Sequence, residues 1–161
     1  MSNGEQSSVP GLGPALRQAW VGYRRRLDDE LARAGFGDDA FPDGRVMRMC
    51  SRSADTTISE IGRELGITRQ GASKIARSLR ERGYVTLVAS QTDAREKVVL
   101  LTERAIAYLK AHRKATEKVE SQLRAELGSE AFESLYALLD ALGGGTQPRL
   151  RDYLRSRMHQ L

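Results

Sequence analysis

Residues 56–83 read TTISEIGRELGITRQGASKIARSLRERG, and the fold turns on how that stretch is punctuated. Thr57 and Glu60 have the spacing of a capping box, in which the hydroxyl takes an orphan amide and the carboxylate reaches back to the cap. Ile58, Ile61 and Leu65 then step along one helical face, and Gly66 stops the helix in a tight turn where Ile67 can bury itself. Thr68 caps a second helix that runs to Arg82 and ends at Gly83.

Wound at roughly 100° per residue, that second helix sorts its side chains. Arg69, Gln70, Ser73, Lys74, Arg77, Arg80 and Glu81 share one broad polar face. Thr68, Ala72, Ile75, Ala76 and Leu79 gather on a narrower apolar seam. Gly71, Ala72 and Ala76 are small enough to let a neighbouring helix approach closely. A charged helix alone reads as a solvated surface, but one that follows a capped helix and a tight turn reads as the second helix of a helix-turn-helix. There Arg can reach guanine and Gln can reach adenine in a major groove.

After Gly83 the period changes. Tyr84–Val88 and Lys97–Leu101 are rich in β-branched and aromatic residues, and SQTDAR between them suits a hairpin tip. Asp93, Arg95 and Lys97 place cations on that protruding loop, where Arg95 can enter an adjacent minor groove. A charge-assisted bond from the Arg95 guanidinium to Asp93 is expected to hold it in place. The order of helix, turn, helix and hairpin makes a winged helix-turn-helix, so the expected class is mainly α with a small β-hairpin wing.

Working outward, Leu16, Trp20, Tyr23, Leu27 and Leu31 form a one-sided helical stripe between Leu12 and Ala34, ended by Gly35 and Gly37. Large residues so far from the centre of the chain call for a partner surface. A short helix is expected from Asp43 to Ser53 with Val46, Met49 and Cys50 on one face. Thr102 caps a long helix through about Leu127, with Ile106, Leu109, Ala115 and Val119 as its apolar positions. Gly128 interrupts it, and a helix from Ser129 to Leu142 carries Phe132, Leu135, Tyr136, Leu138 and Leu139. The resulting plan is a flexible leader (1–11), an N-terminal dimerisation helix (12–37), the winged domain (38–101), C-terminal dimerisation helices (102–142), a glycine-rich break (143–147) and a last amphipathic helix (148–161).

Composition narrows the function. The net charge of +5 and pI near 9.7 favour an anionic partner. The positive charge is concentrated between Thr68 and Leu101 and again after Thr146. Arginines outnumber lysines 21 to 5, which suits bidentate phosphate and guanine contacts, although an Arg-rich genome would give the same bias. No apolar run approaches the eighteen or so residues of a membrane span, and residues 1–14 lack a secretory layout, so a cytoplasmic location is expected. The lone Cys50 forbids an internal disulfide, and its apolar helix face favours an inert thiol over a redox sensor. Cys50 with His112 lacks the clustered spacing of a metal site. No catalytic constellation or cofactor motif is present, so neither an enzyme nor a cofactor is implied.

The residues from Thr56 into the long helix resemble the multiple antibiotic resistance regulator (MarR) family. The resemblance is carried by TRQ at the start of the second helix, RERGYV at its end, the D-x-R wing tip, and V-x-LT leading into the long helix. Glu96 stands where the family usually has another basic residue, and Ala105 where it often has glycine. The helix after the glycine-rich break is an addition to the usual plan.

The resemblance implies a homodimer in which the first helix and the last two helices interlock through Leu16, Trp20, Tyr23, Leu27, Leu31, Leu135 and Leu139. Two recognition helices would enter successive major grooves of double-stranded DNA, reading a pseudo-palindrome through Thr68, Arg69, Gln70, Ser73, Lys74 and Arg77. It further implies a repressor that releases DNA on binding a small aromatic or anionic effector. Trp20 and Tyr23, with an arginine from 24 to 26, are candidates to line an effector pocket. Two other readings remain at this point: a winged-helix adaptor that binds protein without reading DNA, and a regulator that responds to redox through Cys50.

Overall fold

A computed structural model of the chain describes residues 11–38, 42–93 and 95–145. The leader expected over 1–11 falls almost wholly, and the last amphipathic helix (148–161) wholly, outside the described residues. Six helices and one hairpin follow in the order α1 (Leu12–Arg33), α2 (Asp43–Arg52), α3 (Ile58–Leu65), α4 (Arg69–Glu81), β1 (Val85–Ala89), β2 (Lys97–Leu101), α5 (Glu103–Leu127) and α6 (Ser129–Gly143). The strands pair antiparallel from Val85 opposite Leu101 to Ala89 opposite Lys97. The chain before α3 adds a third edge to the ladder, with Thr57 bridging Val98 and the Val99 amide donating to the Thr56 carbonyl at 2.9 Å. No described helix is long and apolar enough to cross a membrane.

The expected capping box at α3 is formed: Glu60 N–H donates to Thr57 Oγ1 at 3.2 Å, and Thr57 N–H donates to Glu60 Oε2 at 2.8 Å. The helix then closes with the Ile67 amide donating to the Gly62 carbonyl and the Gly66 amide to that of Arg63. Gly66 takes the left-handed conformation this motif requires (φ 66°). α4 ends the same way: the Tyr84 amide reaches back to Leu79, the Gly83 amide to Arg80, and Gly83 has φ 77°. This closure explains why β1 begins at Val85 rather than at the expected Tyr84, whose amide is already committed to the helix end. The first residue past each left-handed glycine, Ile67 or Tyr84, turns inward to cover the helix it has just left.

Between α3 and α4 the backbones come close. A Cβ built on Gly62 would lie 3.2 Å from the Ile67 carbonyl oxygen and 3.6 Å from Ala72 Cβ. Ala72, Ala76 and Leu79 are buried on the seam expected for them, with Ile75 half-buried at its margin. The rest of the core comes from Val46, Met47 and Cys50 of α2, Val85 and Val99 of the hairpin, and Ala105, Tyr108 and Ala115 of α5.

Three expectations are corrected here. Met47, not Met49, is the fully buried methionine of α2. On α5, Ile106 is exposed, whereas Tyr108 is buried and packs edge-on against Phe36 and Tyr84 at 5.6 and 5.7 Å between ring centres. On α1, Leu27 and Leu31 are taken up by the chain's own core rather than left for a partner. There α1 packs along α5, secured by Arg26 to Glu126 (2.9 Å) and Lys118 to Glu30 (2.8 Å).

A network of charged side chains locks the end of α4. Arg82 Nη1 donates to Asp43 Oδ2 at 2.7 Å and to the Asp38 carbonyl at 2.8 Å. Tyr84 OH donates to Asp38 Oδ1 at 2.6 Å, and Arg104 Nη2 donates to the same carboxylate at 3.1 Å from across the Tyr84 ring. Burial, with Asp38 alongside, pushes the Tyr84 hydroxyl up to about 12. Burial works against the Asp38 carboxylate, but the Tyr84 hydroxyl and Arg104 outweigh it and hold it below the usual range. Thr102 Oγ1 donates to the Gly83 carbonyl at 2.7 Å and accepts from the Ala105 amide at 3.3 Å, so the start of α5 is tied to the end of α4.

Asp43 has only 5% of its side chain exposed. Replacing Arg82 by Ala strips that carboxylate of its cation, and unfolding in urea should show a loss of about 3 kcal/mol. Cys50 is buried, and burial raises its thiol from 9.0 to about 11. A redox-sensing thiolate is therefore not present at neutral pH. Ellman's reagent should label Cys50 only after denaturant unfolds the chain. The unfolded state releases this proton first, so the thiol's contribution to stability should fall as pH rises from about 9 to about 11.

Candidate nucleic-acid interface

α4 presents its polar face to solvent. Thr68 accepts from the Gly71 amide at 3.1 Å, so its hydroxyl works as the cap. Arg69, Gln70, Lys74 and Arg77 are exposed, and Ser73 is half-exposed between them. Gln70, Lys74 and Arg77 lie opposite the buried Ala72, Ala76 and Leu79, with Arg69 and Ser73 at the margin of that seam. Since α3 holds that seam, the helix cannot rotate to hide its cations. The last turn carries Arg80 and Glu81, both exposed, while Arg82 turns back into the protein.

The wing stands beside this face. Its tip is shaped by side chains: Ser90 Oγ accepts from the amides of Thr92 (3.3 Å) and Asp93 (3.4 Å), and the Glu96 amide donates to the Asp93 carbonyl at 2.9 Å. Asp93 Oδ1 accepts from the Arg95 backbone amide at 2.9 Å, not from the guanidinium as expected. Asp93 thus sets the backbone turn and leaves the Arg95 side chain pointing outward. Arg95 and Lys97 are exposed, and Glu96 between them is turned inward.

Arg69 differs from its neighbours on the polar face. Its Nη2 donates to the Arg95 carbonyl at 2.7 Å, and its Nε lies 3.4 Å from Glu96 Oε1. The sequence puts Arg69 on the polar side of α4 but carries no sign of these contacts, because its partners lie 26 and 27 residues away and leave no local period. The structure therefore leaves Thr68, Arg69, Gln70, Lys74 and Arg77 exposed on α4 and Asp93, Arg95 and Lys97 exposed on the hairpin, and it joins the two through Arg69.

Away from this surface, α1 and α2 contribute a second group of cations. Arg24 pairs with Asp28 at 2.8 Å and Arg45 lies 3.7 Å from Glu64. Arg48 sits near Tyr108 OH, and a Cβ built on Gly44 would come within 2.9 Å of that hydroxyl and 3.3 Å of Arg48 Nη1. Loss of surrounding water, reinforced by Arg52, Arg45 and Arg24, lowers the proton affinity of the Arg48 guanidinium. Of the arginines expected beside Trp20 and Tyr23, Arg24 pairs with Asp28 and Arg26 with Glu126, while Arg25 is exposed. Trp20 and Tyr23 themselves stack at 6.1 Å. No group of three or more metal-ligating side chains occurs among the described residues.

Comparison with known proteins supports the same architecture. Residues 41–96 match the model of the MarR family. No curated protein sequence matches the chain. Among solved structures, the heme sensor protein PefR from Streptococcus agalactiae in complex with heme aligns over 89% of this chain and 98% of its own, at 19% identity and a TM-score of 0.65. MarR from E. coli in its apo form aligns over 81% and 96%, at 20% identity and a TM-score of 0.63. The S. aureus MepR–DNA complex aligns over 81% and 96%, at 20% identity and a TM-score of 0.62. Over residues 41–96 the winged helix-turn-helix of this chain is thus similar to that of the MarR family, and the solved structures share its fold.

Proposed function

We propose that the protein is a DNA-binding transcription regulator that acts as a homodimer in the cytoplasm, placing α4 in the major groove and the hairpin in the flanking minor groove. The observation that carries this reading is the exposed face of Arg69, Gln70, Ser73, Lys74 and Arg77, held outward by a buried seam and flanked by Arg95 and Lys97. Long donors on a rigid helix, with little competing acid, fit base edges and phosphates. An adaptor that binds protein would need an apolar or acidic α4, and no large hydrophobic residue of α4 is exposed. The solved MepR–DNA complex shows a similar fold holding DNA, which favours the same reading.

Dimerisation is supported by what α6 leaves uncovered. None of its residues is buried, and Leu135, Tyr136, Leu138, Leu139 and Leu142 are exposed, as are Leu12, Trp20 and Val21 of α1. An apolar surface of that extent on an otherwise charged protein marks an interface. In this reading 12–37 and 102–142 form the dimerisation part and 38–101 the reading part. Two copies then present two α4 helices to a pseudo-palindromic operator, and binding represses. A small aromatic or anionic molecule is the effector.

A gel shift against genomic fragments should recover a specific, near-palindromic site. On that site Lys74→Ala and Arg77→Ala should each weaken binding and lower the slope of log affinity against log salt by about 1, with the thermal unfolding of the protein unchanged. The double variant Leu135→Asp, Leu139→Asp should be a monomer by light scattering. It should lose affinity for the full site by at least about tenfold, because the second half-site no longer binds intramolecularly.

A further inference from the structure

The wing and α4 are joined by side chains that base reading does not require. Arg69 grips the Arg95 carbonyl and the Glu96 carboxylate, and the same Glu96 Oε1 accepts from Ser59 Oγ of α3 at 2.7 Å. One carboxylate therefore ties the hairpin to both helices of the helix-turn-helix. Glu96 has 21% of its side chain exposed, and its Oε2 is buried with no hydrogen-bond partner among the described residues. A carboxylate held this way depends on its neighbouring cation, since burying an unpaired charge is costly. Without Arg69, its favourable course is outward to water, taking the hairpin with it.

We propose that Arg69 is a positioning residue that clamps the wing to the recognition helix, and not one of the base readers. The proposal rests on the DNA-binding reading above. With the Arg95 carbonyl fixed against α4, the backbone that carries the Arg95 side chain is held beside the helix, so the two groove contacts form together with less ordering of the wing. The clamp also accounts for an acid between two DNA-facing cations: Arg69 neutralises Glu96 where phosphates would otherwise repel it.

Two measurements test the clamp, one of them without DNA. The Arg95–Glu96 peptide bond is a trypsin site whose carbonyl Arg69 holds. Cleavage there in the folded protein should speed up by about tenfold or more in Arg69→Ala, and in the same direction in Glu96→Gln, which keeps the side chain's shape. On the selected DNA site, Arg69→Ala and Arg95→Ala should be less than additive, because part of what Arg69 contributes is the placing of Arg95. Arg69→Ala and Lys74→Ala should be additive. Unchanged cleavage in either variant, or additivity of Arg69→Ala with Arg95→Ala accompanied by relaxed preference at one base pair, would overturn the proposal and return Arg69 to the base readers. If the unaltered protein selects no DNA, the regulatory reading fails, while the cleavage rates still decide whether the clamp exists.

Discussion

The ion pair between Arg82 and Asp43 is the contact on which the orientation of α4 depends. It joins the last turn of α4 to the first turn of α2, and through the Asp38 carbonyl it also holds the segment that links α1 to α2. Tyr84 and Arg104 then bind the Asp38 carboxylate from the hairpin and from α5. Four elements meet where one helix ends. A reading helix can present side chains in a fixed register only if it neither rolls nor tilts, and this knot resists tilt while the α3 seam resists roll.

The opposite end of α4 is fixed differently. There the close backbone approach at Gly62 and the Thr68 cap set the entry angle, and Arg69 reaches sideways to the wing. The helix is thus braced by a larger polar network at its C-terminus, anchored on the buried Asp43 carboxylate, and by a smaller one at its N-terminus. The distribution suits function: the end that would meet base edges must stay solvated until DNA replaces the water, whereas the far end has no such need.

Much of this was legible in the sequence because it is written in local spacing. The capping box at Thr57, the left-handed glycines at 66 and 83, the seam of Ala72, Ala76 and Leu79, and the switch to β-branched residues after Gly83 each need only a few neighbouring residues to be read. What escaped depends on residues far apart in the chain. Asp43 and Arg82 are 39 positions apart, and nothing near Asp43 marks it as a buried anion rather than a helix-starting one. Leu27 and Leu31 continue the same apolar stripe as Leu16 and Trp20, so periodicity alone could not show that the stripe divides between the chain's own core and an open surface. Ile106 and Tyr108 were exchanged for a related reason: both are apolar enough for a core, and only the position of Phe36 and Tyr84 selects the tyrosine.

α5 connects the two ends of the molecule without a break. Its first turn is fastened to the base of the hairpin by Thr102, and further along it packs against α1 and α6. At 25 residues it is about 37 Å long, so a tilt of about 5° at the α1 end displaces the root of the hairpin by about 3 Å. That distance approaches the rise of one base pair. A change of packing where α1 meets α5 is therefore enlarged, by length alone, at the root of the hairpin.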